Sequence, residues 1–480
     1  MTQPMLQFCF LLCFIFAFSG NSQTLAEPQD SLFLSASAKY QNQDYVGCYT
    51  DYTAYLNAHP TSSSAFYNRG LCSYHARDHK NAISDFTKSI SFNKRHSYSY
   101  AMRGMCYFVL KNYEAALPDF EQALVISPAY PLALTYKGAV LNHGKKYQEA
   151  LPYYDKAIEI DPSYKKAYYY RAIARHRLED HAGSLSDCNK ALSSSDLDYE
   201  IYYWKGSNNM SLRNYKEAIS DFDSLLAHTP KTSVIYYQRS IAYFELKNYE
   251  KAISEASIAI ELNPTSGVAY MYRGRAKERL GRYKEAQPDF NAAIELKGRN
   301  NDYYLFRAIN LYHLEDYTKA LSDLETFMKV NPDNTKAYYY RGLCKFQLGD
   351  FAGCIEDCKI SMKDKETEDG YYQIGICKNE LKDYTGAIAD FETCLRMRKD
   401  HEGAICERGA SYLMLGKYEL AMNDFNKALE LDPAYDMPYY YRGKLKKINN
   451  DLAGSCADLK KAKALGNQEC LEELAKNGCK

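Results

Sequence analysis

The chain has 480 residues, of which 46% are hydrophobic, and its 60 basic residues balance 60 acidic residues to a formal net charge of zero. Because no basic block or stripe stands out from this neutral background, we expect no nucleic-acid partner. Tyrosine is unusually frequent, with 47 residues beside a single tryptophan.

The first predicted element is an apolar run at residues 6–19. Its length matches the hydrophobic core of a signal peptide and is short for a membrane-spanning helix, although no Lys or Arg precedes it. We therefore predict that residues 1–26 are a signal peptide with a short leader, cleaved after Ser22 or Ala26. The mature chain would then be periplasmic or secreted and would have no membrane span; a lipoprotein anchored at Cys13 is the less favoured alternative.

Beyond this segment a short tyrosine-rich motif repeats along the chain. It reads YYYRA at residues 168–172 and YYYRG at residues 338–342 and 439–443. The small residue that ends the motif, here called the marker, recurs every 34 residues with a single one-residue deletion. A fixed period of this size indicates stacked repeat units. The thirteen markers are Ala36, Gly70, Gly104, Gly138, Ala172, Gly206, Ser240, Gly274, Ala308, Gly342, Gly375, Gly409 and Gly443.

Each repeat unit contains two segments with the helical spacing of apolar residues. A small residue lies twelve positions after the marker, as at Ala116, a bulkier residue lies four further on, as at Phe120, and many units close with proline, as at Pro128. This pattern resembles the tetratricopeptide repeat (TPR). The resemblance implies an all-α fold, an α-solenoid of about thirteen 34-residue helix–turn–helix repeats over residues 27–466, wound into a right-handed superhelix.

A second regular pattern pairs basic with acidic residues. The residue before the marker is Arg or Lys in units two to thirteen except at Ile374, and the residue fifteen after the marker is acidic except at Tyr153. The arginines could bind acidic ligands, or each could pair with an acidic residue between packed helices. Because the counts match and the charges cancel, we predict a structural charge ladder. Its predicted members are Arg239, Arg273, Arg307, Arg341, Asp221, Asp289 and Asp323.

The TPR resemblance also implies where a partner would bind. In that family the first helix of each unit lines a concave groove, through positions that include the third residue before the marker and residues just beyond it. Tyrosine offers a large contact area at low entropy cost and can hydrogen-bond a peptide backbone. We therefore predict a partner-binding groove, although the same rings could pack on one another and only stiffen the coil. The groove residues are Tyr169, Tyr203, Tyr237, Tyr339, Tyr372, Tyr440, Phe108, Phe244, Tyr312 and Phe346.

The C-terminal segment departs from the repeat period after Gly466. We predict a capping helix within residues 467–480 that covers the last apolar face of the array. This tail resembles the ends of exported TPR proteins of Bacteroidetes bacteria. If the cap folds back antiparallel, Cys456 and Cys479 meet, and we predict a disulfide between them. The other cysteines are assigned to packing positions.

No catalytic motif is present in the sequence. The histidines are scattered, and Cys354 and Cys358 occupy packing positions of their unit, so we expect no enzyme activity, no cofactor and no metal site. The sequence therefore predicts a non-catalytic scaffold that binds a protein or an extended peptide in the cell envelope. The alternatives are a carbohydrate-binding protein and a structural component of an envelope or secretion assembly; the oligomeric state is left open.

Overall fold

The computed structural model describes residues 30–192, 199–229, 231–296 and 301–479. The predicted signal peptide lies outside these residues. Within them the chain forms 27 α-helices, and no strand is found in the described part. Contacts divide the chain into two compact units, Met1–Thr229 and Pro230–Lys480.

The first unit holds twelve helices, which form six consecutive pairs. They are α1 (Ser31–Gln41), α2 (Tyr45–Ala58), α3 (Ser63–His75), α4 (His79–Phe92), α5 (Ser97–Val109), α6 (Tyr113–Ile126), α7 (Pro131–His143), α8 (Tyr147–Ile160), α9 (Lys165–Arg177), α10 (His181–Ala191), α11 (Glu200–Ser211) and α12 (Tyr215–Leu226).

The second unit holds seven further pairs and a final short helix. They are α13 (Ser233–Glu245), α14 (Tyr249–Leu262), α15 (Gly267–Arg279), α16 (Tyr283–Glu295), α17 (Asp302–His313), α18 (Tyr317–Met328), α19 (Thr335–Gln347), α20 (Phe351–Ser361), α21 (Glu368–Glu380), α22 (Tyr384–Met397), α23 (Glu402–Met414), α24 (Tyr418–Leu431), α25 (Asp436–Ile448), α26 (Leu452–Ala464) and α27 (Cys470–Lys476).

Within each unit every helix packs against the next, and the first helices of neighbouring pairs also contact each other directly. The thirteen predicted helix pairs are therefore present, and the α-solenoid prediction is confirmed. One pair cannot bury its own apolar face, so each pair depends on its neighbours for burial.

A short turn reverses the chain within each pair. In the pair α5–α6 the turn contains Lys111, whose φ of 59° lies in the left-handed region. The next residue, Asn112, caps α6 by accepting a hydrogen bond from the backbone N–H of Ala115 at 3.2 Å. Thus the turn ends one helix and its last residue starts the next.

The small markers allow the two helices of a pair to approach closely. A Cβ atom added at Gly104 would lie only 2.9 Å from the ring of Phe120, which is fully buried in the second helix. The marker Ala172 carries a Cβ atom, and the core residue that faces it is the smaller Cys188. The small residues therefore recur in the sequence at the points where the two helices of each pair cross.

Candidate interaction surface

Within each of the two compact units, the first helices of the successive pairs lie on the same side. In the first unit the rings of Phe108 on α5 and Tyr170 on α9 lie 6.3 Å apart, although these helices belong to pairs separated by another pair. In the second unit Glu278 on α15 interacts electrostatically with Lys336 on α19, again two pairs away. We call the surface that the first helices present on this side the inner face.

The three tyrosines of the repeated motif have different surroundings. In the copy at residues 338–342 the guanidinium of Arg341 stacks over the ring of Tyr338 at 5.0 Å. The middle residue, Tyr339, is half-buried beside Tyr340, with 5.8 Å between the ring centroids. Tyr340 reaches along the inner face to Tyr312 of the preceding pair, at 5.9 Å.

The charge ladder lies between the helices of each pair. Arg307 donates from Nε and Nη2 to both carboxylate oxygens of Asp323, each at 2.7 Å. Arg273 pairs in the same way with Asp289, and Arg341 with Asp357. These carboxylates are nearly fully buried, so each ion pair joins the two helices of its pair within the core.

Two other predicted members of the charge ladder have different partners. Arg239 pairs with Glu255 at 3.2 Å. Asp221 pairs with Lys205 at 3.1 Å and accepts a hydrogen bond from the side chain of Asn209. Burial raises the pKa of Asp221, although Lys205 opposes this effect.

The arginines also join each pair to the one before it. The Nη1 atom of Arg273 donates to Ser257 of α14 at 3.2 Å, and that of Arg307 donates to Asn291 of α16 at 3.1 Å. One guanidinium therefore contacts the second helix of its own pair and the second helix of the preceding pair. Sequence reasoning expected only one acidic partner for each arginine.

The ten predicted groove residues are less accessible than an open groove would require. Tyr169, Phe244 and Tyr440 are buried, and the other seven are half-buried. The hydroxyl of Tyr169 donates to Glu200 of the following pair at 2.7 Å. Tyr372 packs against His401, with 4.6 Å between ring centroids. Many of these rings therefore contribute to contacts between neighbouring pairs.

Sequence reasoning missed a second set of aromatic residues, at the position two before the marker. The third tyrosine of the YYYRG motif occupies this position, and it was the available signal. Two members of this set, Tyr136 and Tyr170 on successive first helices, have their ring centroids 5.6 Å apart. The set comprises Tyr136, Tyr170, Trp204, Tyr272, Phe306, Tyr340 and Tyr441.

One arginine on the inner face is held by rings from three first helices. The guanidinium carbon of Arg275 on α15 lies 4.5 Å from the ring centroid of Phe244 on α13, 4.3 Å from that of Phe306 on α17 and 5.0 Å from that of Tyr272. In the described part of the chain no carboxylate lies within ion-pairing distance of Arg275. We call Arg275 and these three rings the Arg275 cage.

The charges around the Arg275 cage are predominantly positive. Arg279 and Lys336 lie nearby with part of each side chain exposed, and the acid Glu278 lies beside them. Burial raises the pKa of Glu278 despite the opposing effect of the three cations. Partial desolvation lowers the pKa of Lys336; Glu278 opposes this shift, and the repulsion from Arg279 and Arg275 adds to it.

A second notable acid, Glu407 on α23, is enclosed by neighbours. Its carboxylate accepts a hydrogen bond from Asn379 at 3.4 Å, and Ser411 donates to the amide oxygen of Asn379 at 2.7 Å. Burial raises the pKa of Glu407 to about 7, and the nearby acids Glu380 and Glu469 add to the shift.

Two disulfides are found among the described residues. Cys456 and Cys479 are joined, with 5.5 Å between their Cα atoms, so the start of α26 is linked to the end of α27. Cys48 and Cys72, which the sequence reading assigned to packing alone, are also joined, with 6.2 Å between their Cα atoms. Both Cα separations lie in the normal range for a disulfide.

Metal ligation and membrane insertion have no structural counterpart in the residues described. No group of three His, Cys, Asp or Glu side chains is arranged there to hold a metal ion. Likewise, none of the described helices is both long enough and apolar enough to cross a membrane.

The fold and its inner face define an α-solenoid built from two-helix repeats. Models of the tetratricopeptide repeat match residues 97–130, 131–164 and 404–435, residues 203–267, 271–325 and 307–356, and residues 368–401. These matches together cover more than half of the chain. The chain therefore belongs to the tetratricopeptide repeat family.

Several solved structures resemble the chain at low sequence identity. The APC/C hetero-tetramer Cut9-Hcn1 is 15% identical, with 95% of this chain and 97% of that chain covered and a TM-score of 0.43. A tetratricopeptide repeat protein from Parabacteroides merdae is 18% identical, with 51% and 97% covered and a TM-score of 0.37. Yeast Tom70 is 14% identical, with 87% and 95% covered and a TM-score of 0.34. No curated protein matches the sequence.

Proposed function

We propose that this chain is a non-catalytic scaffold in the cell envelope that binds a protein or an extended peptide through its tyrosine-rich inner face. The observation that carries this proposal is the Arg275 cage. A cation that is fixed by three rings and has no carboxylate within ion-pairing distance in the described residues is a ready anchor for a ligand.

The chemistry of the cage favours a carboxylate. The planar guanidinium of arginine can donate two parallel hydrogen bonds to one carboxylate, and such charge-assisted bonds are stronger than neutral ones. Because the rings already hold the side chain of Arg275, little side-chain entropy would be lost when a ligand binds. An Asp, a Glu or a C-terminal carboxylate of the partner would fit this site.

The surroundings of the cage favour an acidic segment that also carries apolar side chains. Arg279 and Lys336 would add attraction for negative charge, whereas Glu278 is the one nearby acid. The rings of Tyr340 and Tyr312 continue along the inner face and would contact apolar side chains beside the carboxylate.

An envelope location is supported by the chemistry of the cysteines. Disulfides such as Cys48–Cys72 and Cys456–Cys479 form and persist in oxidising compartments and are rare in the cytosol. The apolar run at residues 6–19 supports export independently.

Site-specific photo-cross-linking in the cells that make the protein tests this function. The photoreactive residue p-benzoylphenylalanine replaces Tyr340 on the inner face or, as the control, Leu420, which is 46% exposed on the second helix α24. We expect a discrete cross-linked protein from the Tyr340 position that is absent from the Leu420 position. Adducts from Leu420 alone, or none from either position, would contradict the proposed function.

A further inference from the structure

Two pairs of cysteines occupy the same two positions of the repeat. Cys48 lies twelve residues after the marker Ala36, and Cys72 lies two residues after the next marker. Cys354 and Cys377 stand in the same relation to the markers Gly342 and Gly375. No other junction between units in the sequence has cysteine at both positions.

These two positions face each other across neighbouring pairs. The structure joins Cys48 on α2 to Cys72 on α3, the first helix of the following pair. The corresponding residues Cys354 on α20 and Cys377 on α21 are both fully buried and belong to one core cluster. The Cys354 thiol also interacts electrostatically with that of Cys377, and both cysteines are free in the structure.

A third cysteine adjoins this pair. The sulfur atoms of Cys354 and Cys358 lie 3.9 Å apart on α20. Hydrogen bonds from Cys358 and Cys377 lower the pKa of the Cys354 thiol, whereas the pKa values of those two neighbours are raised. The three thiols therefore form one buried cluster at the junction between α20 and α21.

The first helix α21 lacks the Arg or Lys that precedes the marker in the other units from two to thirteen. Ile374 replaces the ladder arginine, so no guanidinium reaches back to the preceding pair. The one-residue deletion falls at this junction. The first helices α19 and α21 also have the weakest contact between neighbouring first helices in the second unit. A covalent link here would replace the missing polar bond.

We propose that Cys354 and Cys377 form a disulfide that links α20 to α21, as Cys48–Cys72 links α2 to α3. The oxidant is a thiol–disulfide oxidoreductase or glutathione in the disulfide form. One sulfur–sulfur bond forms in the chain, the two thiol hydrogens leave as protons, and the two electrons reduce the oxidant's disulfide to two thiols. Because both thiols are fully buried in the folded chain, the exchange occurs during folding, before the two pairs close on each other.

Peptide mapping of the unmodified full chain tests this proposal. The chain is reduced, unfolded and refolded in a mixture of oxidised and reduced glutathione, and free thiols are then alkylated. Trypsin releases residues 346–359, which contain Cys354 and Cys358, and residues 366–378, which contain Cys377. We expect these two peptides to be linked, with fragmentation assigning the bond to Cys354. Linkage of the peptides that carry Cys48 and Cys72 is the internal reference.

Matched variants assign the bonded sulfur independently of fragmentation. The linked peptides should persist in Cys358→Ala and disappear in Cys354→Ala. Alkylated Cys354 or Cys377 in the refolded wild-type chain overturns the proposal, whatever the state of Cys48 and Cys72. A bond from Cys377 to Cys358 in the wild-type chain overturns it as well.

Discussion

At the scale of single residues, the repeated motif divides its contacts among neighbouring helices. The first tyrosine stacks on the arginine, the arginine pairs with the acid of the second helix, and the third tyrosine lies on the inner face, as in residues 338–342. Each motif therefore serves the core and the inner face at once, which explains why its near-copies recur at multiples of the repeat.

A double-mutant cycle on Arg408 and Asp424 tests the structural role of the ladder. Arg408 donates to both carboxylate oxygens of Asp424, at 2.8 and 2.9 Å. Removing either partner leaves a buried charge unpaired, so each single alanine variant should lose roughly 3–5 kcal/mol of unfolding free energy. The double variant should lose about 1–3 kcal/mol less than the sum, as measured by urea unfolding.

The exposed pair Lys427–Glu430 on the same repeat is the matched control, with 57% and 65% of its side chains exposed. Its coupling energy should be below about 0.5 kcal/mol. Equal coupling energies in the two pairs would show that the Arg408–Asp424 pair stabilises the fold no more than an exposed ion pair does.

The raised pKa of Glu407 predicts a pH-dependent stability. Because its pKa in the folded chain is about 7, above the ordinary 4.5, the folded state holds the proton more tightly than the unfolded state. Stability contributed by this group is therefore full below about pH 4.5 and is lost as the pH rises to about 7. Glu407→Gln should gain stability relative to the wild-type chain between pH 5 and pH 8, measured by urea unfolding at both values.

The control for this experiment is Glu419→Gln, which changes an exposed carboxylate on α24. Its difference from the wild-type chain should stay nearly constant over the same range. A Glu407→Gln difference that is identical at pH 5 and pH 8 would mean that the carboxyl is not protonated in the folded chain.

At the scale of helices, the fold could be predicted because the spacing of small and bulky residues along the sequence specifies it. The markers, the small residue twelve positions on and the residue four beyond that are all core positions in the structure, as Gly104, Ala116 and Phe120 illustrate. The disulfide Cys48–Cys72 could not be predicted in the same way. Both cysteines occupy packing positions. At such a position a single sequence does not show whether the cysteine is a free, small apolar residue or is bonded in a disulfide.

Overpacking one helix crossing should have a local effect. Ala252 is fully buried between Phe244 and Ala276, so Ala252→Leu should cost about 1–3 kcal/mol. Hydrogen exchange should accelerate in α13–α16 and stay unchanged in α24–α26, because each pair contacts only its neighbours. Ala352→Leu, at an exposed position of α20, is the control. An unchanged melting curve for Ala252→Leu would remove the basis for the assignment of small positions.

The terminal helix α27 should depend on its disulfide. It has only seven residues and is linked through Cys479 to Cys456, 23 residues earlier. Closing a loop of this size contributes on the order of 3 kcal/mol in the chain-entropy model. Cys479→Ser should therefore accelerate hydrogen exchange in α27, and reductant should do the same to the wild-type chain. Protection of α27 that survives reduction would show that packing alone holds the cap.

At the scale of the whole molecule, the family could be predicted from the sequence, but the Arg275 cage could not. Phe244, Arg275 and Phe306 come from three successive first helices and occupy three different positions of the repeat, spaced 31 residues apart. A comparison of equivalent positions in successive repeats therefore does not group these three residues. Only the stacking of α13, α15 and α17 brings them together, and the missing acid partner becomes visible only then.

The affinity of the partner that is cross-linked at Tyr340 tests the central claim most directly. Calorimetry with that purified partner should compare the wild-type chain with Arg275→Gln, Arg275→Lys and the matched control Lys329→Gln, which removes one exposed positive charge at the end of α18. If Arg275 holds a partner carboxylate, Arg275→Gln should weaken binding at least tenfold, or about 1.4 kcal/mol. Arg275→Lys should recover part of the loss, and Lys329→Gln should stay within about twofold of the wild-type chain, because exposed rim charges contribute little. Equal affinities of the wild-type chain and Arg275→Gln would contradict the account.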